Sequence, residues 1–352
     1  MSDTKTLLQL MVDEGASDLL LTANTRPHIK VDGVTHPVDM PALNTGESKA
    51  LAYAFMTKRQ CKDFEATKES NFALSIDGIG RFRLNVYYQR GEVSVAVRRI
   101  KSTIPTFEEL GLPPQVRKLS LLKRGLVLMV GAAGTGKSTT MAAMVDYRAK
   151  QMDGHILTIE DPIEYLFSHG KAIVEQREVG LDTLTFGDAL RNAMREAPDV
   201  IVIGEICDRE TAQHAIMYAE AGVLCLSTMH SNNANQAIDR IINFFPEDAR
   251  RQVLLDLSLN LKGVVAQRLL PDTNGKQALA TGILLQSAYA SELIQKGKID
   301  VLKDAIKKGT EEGMQVFDDS LFRLYKDGRI SYEDALRNAD SHTDLALRIK
   351  LS

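Results

Sequence analysis

The feature that most constrains this chain is a glycine-rich octapeptide, residues 131–138, with the sequence Gly-Ala-Ala-Gly-Thr-Gly-Lys-Ser. It matches the phosphate-binding pattern G-x-x-x-x-G-K-[ST] at every fixed position. The apolar run 126–130 before it predicts a buried strand, and residues 139–150 after it predict a helix. The motif requires this order of strand, loop and helix, because glycines let successive N–H groups and the helix N-terminus face one point.

Residue chemistry assigns roles within this loop. Lys137 supplies a mobile charge for the β- and γ-phosphates, and the Ser138 hydroxyl can ligate Mg²⁺. The alternative is a glycine turn before an ordinary helix. An accidental match to the eight-residue pattern is expected in roughly one chain in a hundred of this length. We therefore predict an ATP site whose nucleotide-binding residues are Gly131, Ala132, Ala133, Gly134, Thr135, Gly136, Lys137, Ser138 and Thr139.

A second buried strand, predicted at residues 155–159, is followed by three carboxylates: Glu160, Asp161 and Glu164. Open α/β sheets place their chemistry at the carboxyl ends of strands. The carboxylates are therefore expected to position Mg²⁺ and to polarise the attacking water. The alternative is a solvated turn.

Two further strands end in polar residues. The apolar run 200–203 leads into Glu205, which we predict to lie near the Mg²⁺ shell. The run 223–227 leads into His230, for which a contact with the γ-phosphate is favoured over a purely structural role. From residue 119 onward, such alternation of strands and helices predicts a parallel α/β fold.

The N-terminal third predicts a separate α+β module with its own hydrophobic core. Arg81 and Arg83 share one face of a predicted strand, because side chains two residues apart point the same way, and Arg98 and Arg99 lie on the next strand. The alternative for these arginines is a solvated strand face. The functional interpretation is that some of them reach a phosphate bound by a neighbouring subunit, since arginine donors form a permanently charged planar fork.

Length and composition set the remaining limits. The chain has 352 residues, enough for two domains. The predicted boundaries are 1–100 for the N-terminal domain, 101–118 for a proline-containing linker, and 119–352 for the motor domain with its C-terminal helices. Within the latter, 249–270 is predicted as one long helical stretch.

A net charge of −3 argues against a nucleic-acid-binding surface built on bulk charge. The three cysteines form no C-x-x-C pair, and no run is long enough to span a membrane.

Taken together, four segments resemble the secretion and type IV pilus traffic ATPases, which include GspE- and VirB-type proteins. They are the glycine loop, the acidic box 159–164, the box 197–205 and the histidine box ending at His230. Within this superfamily the chain is most similar to the pilus retraction branch, PilT and especially PilU. Segments 176–180 and 232–237 support that resemblance.

The resemblance implies a RecA-like P-loop motor domain, a smaller PAS-like N-terminal domain and a homo-hexameric ring. It implies that Glu164 is the general base, that Glu205 holds Mg²⁺ together with Ser138, and that His230 senses the γ-phosphate. Arg81, Arg83 and Arg98 would act in trans on the neighbouring subunit. It further implies retraction of type IV pili alongside a PilT-like motor, contact with an inner-membrane platform protein, and a cytoplasmic location at the inner-membrane face.

Two departures from the family pattern qualify this expectation. Val223 stands where the histidine box commonly has a first histidine, and segment 289–298 lacks both arginines of the PilT retraction signature. The second departure favours the PilU subtype, whose retraction depends on a PilT motor. Two alternatives remain: a nucleotide-gated regulatory ring with little hydrolysis, and a DNA translocase, which would bind nucleic acid with steep salt dependence.

Overall fold

The computed structural model describes residues 4–31 and 33–352, and the chain divides into two compact units. The first unit contains the residues up to 103 together with 164–166. The second contains 104–163 and 167–352. Each unit has its own buried core, so each is described by itself.

The first unit consists of one antiparallel sheet and three helices. Its elements are α1 (Thr4–Asp13), β1 (Asp18–Leu21), β2 (His28–Val31), β3 (Val34–Pro37), α2 (Glu47–Phe55), α3 (Lys58–Thr67), β4 (Glu69–Ile76), β5 (Gly80–Gln89) and β6 (Glu92–Ile100). The six strands lie in the order β3-β2-β1-β6-β5-β4. In β5, the buried residues Phe82, Leu84 and Val86 alternate with more exposed ones, so one face of the sheet packs on the core. The α+β interpretation of this region agrees with these elements.

The second unit is an α/β structure around a seven-stranded sheet. Its elements are α4 (Pro114–Ser120), β7 (Gly125–Val130), α5 (Lys137–Gln151), β8 (Gly154–Glu160), β9 (Ala172–Glu178), α6 (Phe186–Ala193), β10 (Val200–Ile203), α7 (Arg209–Glu220), β11 (Leu224–Met229), α8 (Ala234–Asn243), α9 (Glu247–Asn260), β12 (Leu261–Pro271), β13 (Gln277–Leu285), α10 (Ala288–Gln295), α11 (Leu302–Lys308), α12 (Phe317–Lys326), α13 (Tyr332–Arg337) and α14 (His342–Lys350).

The order of strands in this sheet is β13-β12-β7-β11-β10-β8-β9, and every pairing except β12–β13 is parallel. Strands β7, β10 and β11 are buried along their whole length, as expected for parallel strands covered by helices on both faces. The predicted α/β class is confirmed. Because the strands run parallel, the residues that follow β7, β8, β10 and β11 emerge at one edge of the sheet.

The predicted helix over 249–270 is wrong in its second half. Helix α9 ends at Asn260, and the chain then enters β12, which pairs with β7 on one side and with β13 on the other. The β-branched pair Val264 and Val265 is fully buried in this strand. Tertiary pairing overrides the helical periodicity here, because a run buried on both faces carries no reliable period.

Within the described ranges 4–31 and 33–352, no helix combines the length and the apolar character needed to cross a bilayer.

Candidate active site

The phosphate loop connects β7 to α5, and its backbone is curled by two left-handed glycines. Gly134 has φ 76° and Gly136 has φ 83°, a region that side chains with a Cβ rarely adopt. Gly136 is also the residue immediately before the helix, which begins at Lys137. The free N–H groups of the first turn and the partial positive charge of the helix N-terminus therefore face the loop.

Lys137 is held inside this loop. Its side chain is buried, and Nζ donates to the carbonyl oxygens of Gly131 at 3.0 Å and Ala132 at 2.8 Å. Thr135 Oγ1 also donates to the Ala132 carbonyl, at 2.9 Å. These bonds close the loop on itself and place the lysine charge at its centre, which is where phosphate oxygens would lie.

The backbone of neighbouring segments approaches the loop closely at Gly131. A Cβ on Gly131 would lie 2.3 Å from Thr135 Oγ1 and 2.8 Å from the backbone oxygen of Gln267. No side chain fits in that space. The backbone of β12 therefore packs closely against the first residue of the loop. The residues present fit a nucleotide phosphate group.

The ends of four strands, β7, β8, β10 and β11, are joined by hydrogen bonds at the same edge of the sheet. The Gly204 N–H donates to the Ile159 carbonyl at 2.8 Å, and Thr228 Oγ1 donates to the Gly204 carbonyl at 2.6 Å. The Gly131 N–H donates to the Met229 carbonyl at 3.4 Å. A Cβ on Gly204 would lie 3.2 Å from the Ile159 oxygen, so a larger residue there would push β8 and β10 apart.

Glu205 and His230 meet at this edge. His230 Nε2 lies 3.4 Å from Glu205 Oε1, and both side chains are about two-fifths exposed. The backbone oxygen of His230 accepts a hydrogen bond from Arg240 at 2.9 Å, which ties it to α8. Burial together with Asp208 and Glu205 raises the pKa of the nearby Cys207 thiol, which favours its neutral form. The structure thus brings the phosphate loop, Glu205 and His230 to one sheet edge, as the sequence predicts.

The acidic box is divided between the two units. Glu160 ends β8 and is held in place, because its Oε1 accepts hydrogen bonds from Thr158 Oγ1 at 2.7 Å and Gln176 Nε2 at 3.2 Å. Asp161 and Glu164 are exposed. Glu164 belongs to the first unit, where the next residue, Tyr165, forms a parallel bridge with Lys101. The general-base role of Glu164 therefore stays a prediction.

The predicted arginines form a group on the outward face of the first unit's sheet. Arg83 and Arg98 are direct partners across β5 and β6, and Arg81 lies on the same face as Arg83. Arg98 Nε donates to Asp18 Oδ1 at 2.9 Å, with the Arg98 side chain 71% exposed. Arg99 points to the other face, where it donates to the Val12 carbonyl at the end of α1 at 3.4 Å. Arg99 is therefore structural.

Two residues of this region have no role in the sequence interpretation. Gln176 on β9 fixes the Glu160 carboxylate, and Gln267 on β12 lies behind the phosphate loop. Nothing in the sequence assigns Gln267 to the site, because it falls within the run predicted as helical. Its contact with the loop exists only through the pairing of β12 with β7.

Ser138 and Glu205 are the predicted Mg²⁺ residues. A hydroxyl and a carboxylate are oxygen donors of the kind that Mg²⁺ prefers, so the donor set fits this ion. Among the described residues, no group of three or more His, Cys, Asp or Glu side chains is placed to hold a metal. The phosphates and water would have to complete the coordination, as is usual for Mg²⁺.

Comparison with known proteins gives a consistent family. A family model described as "Type II/IV secretion system protein" matches residues 2–316. The type IV pilus ATPase PilU of Pseudomonas aeruginosa is 53% identical over 346 residues, which cover 98% of this chain and 91% of that protein. The type IV pilus retraction ATPase PilT of the same organism is 40% identical, over 96% of this chain and 98% of that protein.

Solved structures agree with these relatives. The crystal structure of the pilus retraction motor PilT with bound ADP has a TM-score of 0.91 and 40% identity, covering 97% of this chain and 99% of that chain. The Legionella pneumophila ATPase DotB has a TM-score of 0.81 at 22% identity, which is a likeness of fold alone. The fold is thus that of a RecA-like ATPase, and the site is of a kind that binds nucleotide.

Proposed function

This chain belongs to the type II/IV secretion system protein family and, within it, to the PilT/PilU-type ATPases, and on that premise we propose that it powers retraction of type IV pili as a homo-hexamer working alongside a PilT-like motor. The reaction is hydrolysis of ATP, coupled to mechanical work. The observation that carries the proposal is the convergence of the phosphate loop, Glu205 and His230 on one sheet edge, in a chain 53% identical to a type IV pilus ATPase.

Phosphate binding is assigned to the loop from Gly131 to Thr139. Backbone N–H groups at the start of α5 would bind the phosphate oxygens, and Lys137 would exchange its two carbonyl partners for the β- and γ-phosphates. That exchange needs little further desolvation, because the Lys137 ammonium is already buried within the loop.

Hydrolysis requires a positioned water and compensation of the charge that develops on the γ-phosphate. We assign Glu164 to orient the water and Glu205, with Ser138, to hold Mg²⁺. When bound, Mg²⁺ neutralises charge on the β- and γ-phosphate oxygens. His230, whose Nε2 lies 3.4 Å from Glu205 Oε1, would respond to the γ-phosphate and transmit its loss to Glu205.

The ring is the part of the proposal that explains the arginines. Arg81, Arg83 and Arg98 share the face of the first unit's sheet opposite its core, and the Arg98 side chain is 71% exposed. We propose that this unit, the PAS-like domain predicted over 1–100, delivers them in trans to the next subunit's phosphates. Such arginines typically contribute 10³–10⁵ in rate. Of the linker predicted at 101–118, residues 104–118 belong to the second unit, so a hinge between the two domains would lie near 101–103.

The location and the partners of this protein are proposed by extension from its relatives. PilU and PilT are named as type IV pilus ATPases, and by extension this chain would act in the cytoplasm at the inner-membrane face, on the platform protein of the pilus machine. Membrane contact would come only through partners. Segment 289–298, which lacks the PilT signature arginines, supports dependence on a PilT-like motor.

The test compares retraction in cells that lack this protein, its PilT-like partner, or both. Each strain is complemented with the wild-type chain or with Lys137→Ala. Retraction force should fall without this protein and recover only with the wild type. ATP hydrolysis by the purified chain is measured with and without the partner. Normal retraction in cells carrying only Lys137→Ala would refute the motor role, and no gain in hydrolysis over the partner alone would indicate a regulatory ring.

A further inference from the structure

A buried glutamine joins β12 to the first turn of the phosphate-loop helix. Gln267 is 1% exposed and follows Ala266, which pairs with Val130, the last residue of β7. Its Nε2 donates to Thr140 Oγ1 at 2.7 Å. Thr140 is 2% exposed and lies three residues after Lys137 in α5. The backbone oxygen of Gln267 is the atom that would lie 2.8 Å from a Cβ on Gly131. Gln267 therefore lies against Gly131, the first residue of the loop, and bonds Thr140, two residues beyond its last residue.

The other end of the same amide has no partner. Gln267 Oε1 is buried, and no group within residues 4–31 or 33–352 donates to it. A buried acceptor without a donor lowers stability, because it has lost its hydrogen bonds to water. An apolar side chain of similar length would remove this cost. A glutamine here is therefore poorly explained by stability and better explained by what its Nε2 holds.

We propose that Gln267 is a positioning residue for ATP hydrolysis, and that its bond to Thr140 sets the orientation of the first turn of α5 and thereby of Lys137 and Ser138. The inference rests on the proposed ATPase function and deepens it. Gln267 acts through Thr140 and does not touch the phosphates. Small displacements of groups that orient a reaction reduce its rate by up to about a hundredfold. The rate, more than the binding of substrate, should therefore depend on this bond.

A purely structural role makes the opposite prediction. If Gln267 served only to fill the space between β12 and α5, an isosteric apolar residue would replace it without loss of turnover. If it served only for stability, its loss would lower the melting temperature together with activity. The positioning role separates the two quantities. Turnover falls, while the melting temperature stays the same or rises because the unpartnered oxygen is gone.

The test uses the full-length chain with the substitutions Gln267→Met, Thr140→Val and Thr140→Ser, and the double variant Gln267→Met/Thr140→Val. Gln315→Met is the matched control. Gln315 is also a buried glutamine at the edge of this sheet, but its Nε2 bonds Thr281 and its Oε1 accepts from Arg323. It is fully partnered and has no contact with the loop. Melting temperature, kcat, KM and the Kd for Mg-ADP are measured for each.

For Gln267→Met we expect kcat to fall about ten- to a hundredfold, with a smaller change in KM and a melting temperature within about 2 °C of wild type or above it. Thr140→Val should lose kcat similarly and Thr140→Ser should keep it, because serine retains the hydroxyl. The double variant should be no slower than the slower single variant, since both remove one bond. Gln315→Met should show the reverse: a lower melting temperature and an unchanged kcat.

A kcat for Gln267→Met within about twofold of wild type, or a parallel loss of stability and kcat, overturns the inference. Should Gln267→Met fail to fold, Thr140→Val decides: full kcat in that variant also overturns it. The proposed function fails separately, if the wild type binds Mg-ATP and does not hydrolyse it. Positioning is then tested by the Kd for Mg-ADP, which Gln267→Met and Thr140→Val should raise and Gln315→Met should leave unchanged. Equal Kd values would overturn it.

Discussion

His230 Nε2 lies 3.4 Å from Oε1 of Glu205, and this contact joins the ends of the neighbouring parallel strands β10 and β11. Both strands are fully buried, so their ends are fixed by the sheet and not by the loops that follow. The pair lies beside the phosphate loop, because Met229 accepts a hydrogen bond from the Gly131 N–H. A substitution of Glu205 or His230 should therefore alter the position of the other side chain.

Replacing His230 tests this coupling. We expect His230→Ala to lower kcat by about a hundredfold while ATP binding changes little, because the imidazole is proposed to act at the γ-phosphate and through Glu205. The rate of ATP hydrolysis and the affinity for a non-hydrolysable ATP analogue measure the two effects. His342→Ala, an exposed histidine at the start of α14, is the control. A normal kcat for His230→Ala would leave this histidine with a structural role.

Lys137→Ala should abolish turnover and leave the fold intact. Its ammonium donates to the backbone carbonyls of Gly131 and Ala132, so its removal changes the loop and leaves the strands of the sheet in place. Hydrolysis and thermal unfolding are measured together. Lys150→Ala, at the exposed end of the same helix, removes only the ion pair with Asp146 and serves as control. Hydrolysis by Lys137→Ala would show that the site lies elsewhere.

Glu164→Gln separates binding from chemistry. The amide keeps the size of the carboxylate but cannot accept a proton, so we expect ATP to bind normally and turnover to fall about a hundredfold or more. Glu175→Gln is a comparable change at an exposed carboxylate, which faces His155 at 2.9 Å. If the two variants hydrolyse ATP equally well, the general base is another group, with Glu160 and Asp161 the next to test.

The arginines are tested by mixing subunits. If the arginines act in trans as proposed, Arg81→Ala, Arg83→Ala and Arg98→Ala should each give a folded protein with reduced hydrolysis, because each arginine would offset charge at a neighbouring subunit's phosphates. Mixing an arginine variant with Lys137→Ala should restore part of the activity, since some interfaces then combine an intact arginine with an intact loop. No gain on mixing would argue that they act in cis. Arg99→Ala should instead lower the melting temperature, through the lost bond to Val12.

Acid sensitivity of the first unit should depend on Glu65. Its hydrogen bonds from Lys49 and Tyr53 lower its pKa from 4.5 to about 2. A lowered pKa contributes stability above pH 4.5, which is lost as pH falls from 4.5 towards 2. Glu65→Gln should flatten the pH dependence of unfolding in that range, and the effect should be small because the carboxylate is exposed. An unchanged profile would show that other carboxylates control acid unfolding.

Much of the site could be predicted because its residues follow their strands directly. The glycine pattern identifies the loop, and an apolar run before Glu205 or His230 indicates a strand end, so parallel pairing brings them together. β12 could not be predicted in this way. Its buried run lacks a strand period, and it continues from α9 without a turn signal. The contacts of Gln267 could not be predicted for the same reason, and Gln176, which bonds Glu160, lies on β9, a strand that the sequence pattern does not predict.

The sequence by itself determined the chemistry of this protein: a phosphate loop, its lysine and serine, and acidic and imidazole groups placed after buried strands. Those properties are local, since a short run of residue types specifies each of them. Only the tertiary structure decided which groups meet. The 3.4 Å contact of Glu205 with His230 and the support of Gly131 and Thr140 by Gln267 arise from strand order and register. Strand pairing joins residues far apart in the chain, and no local pattern encodes which strands become neighbours.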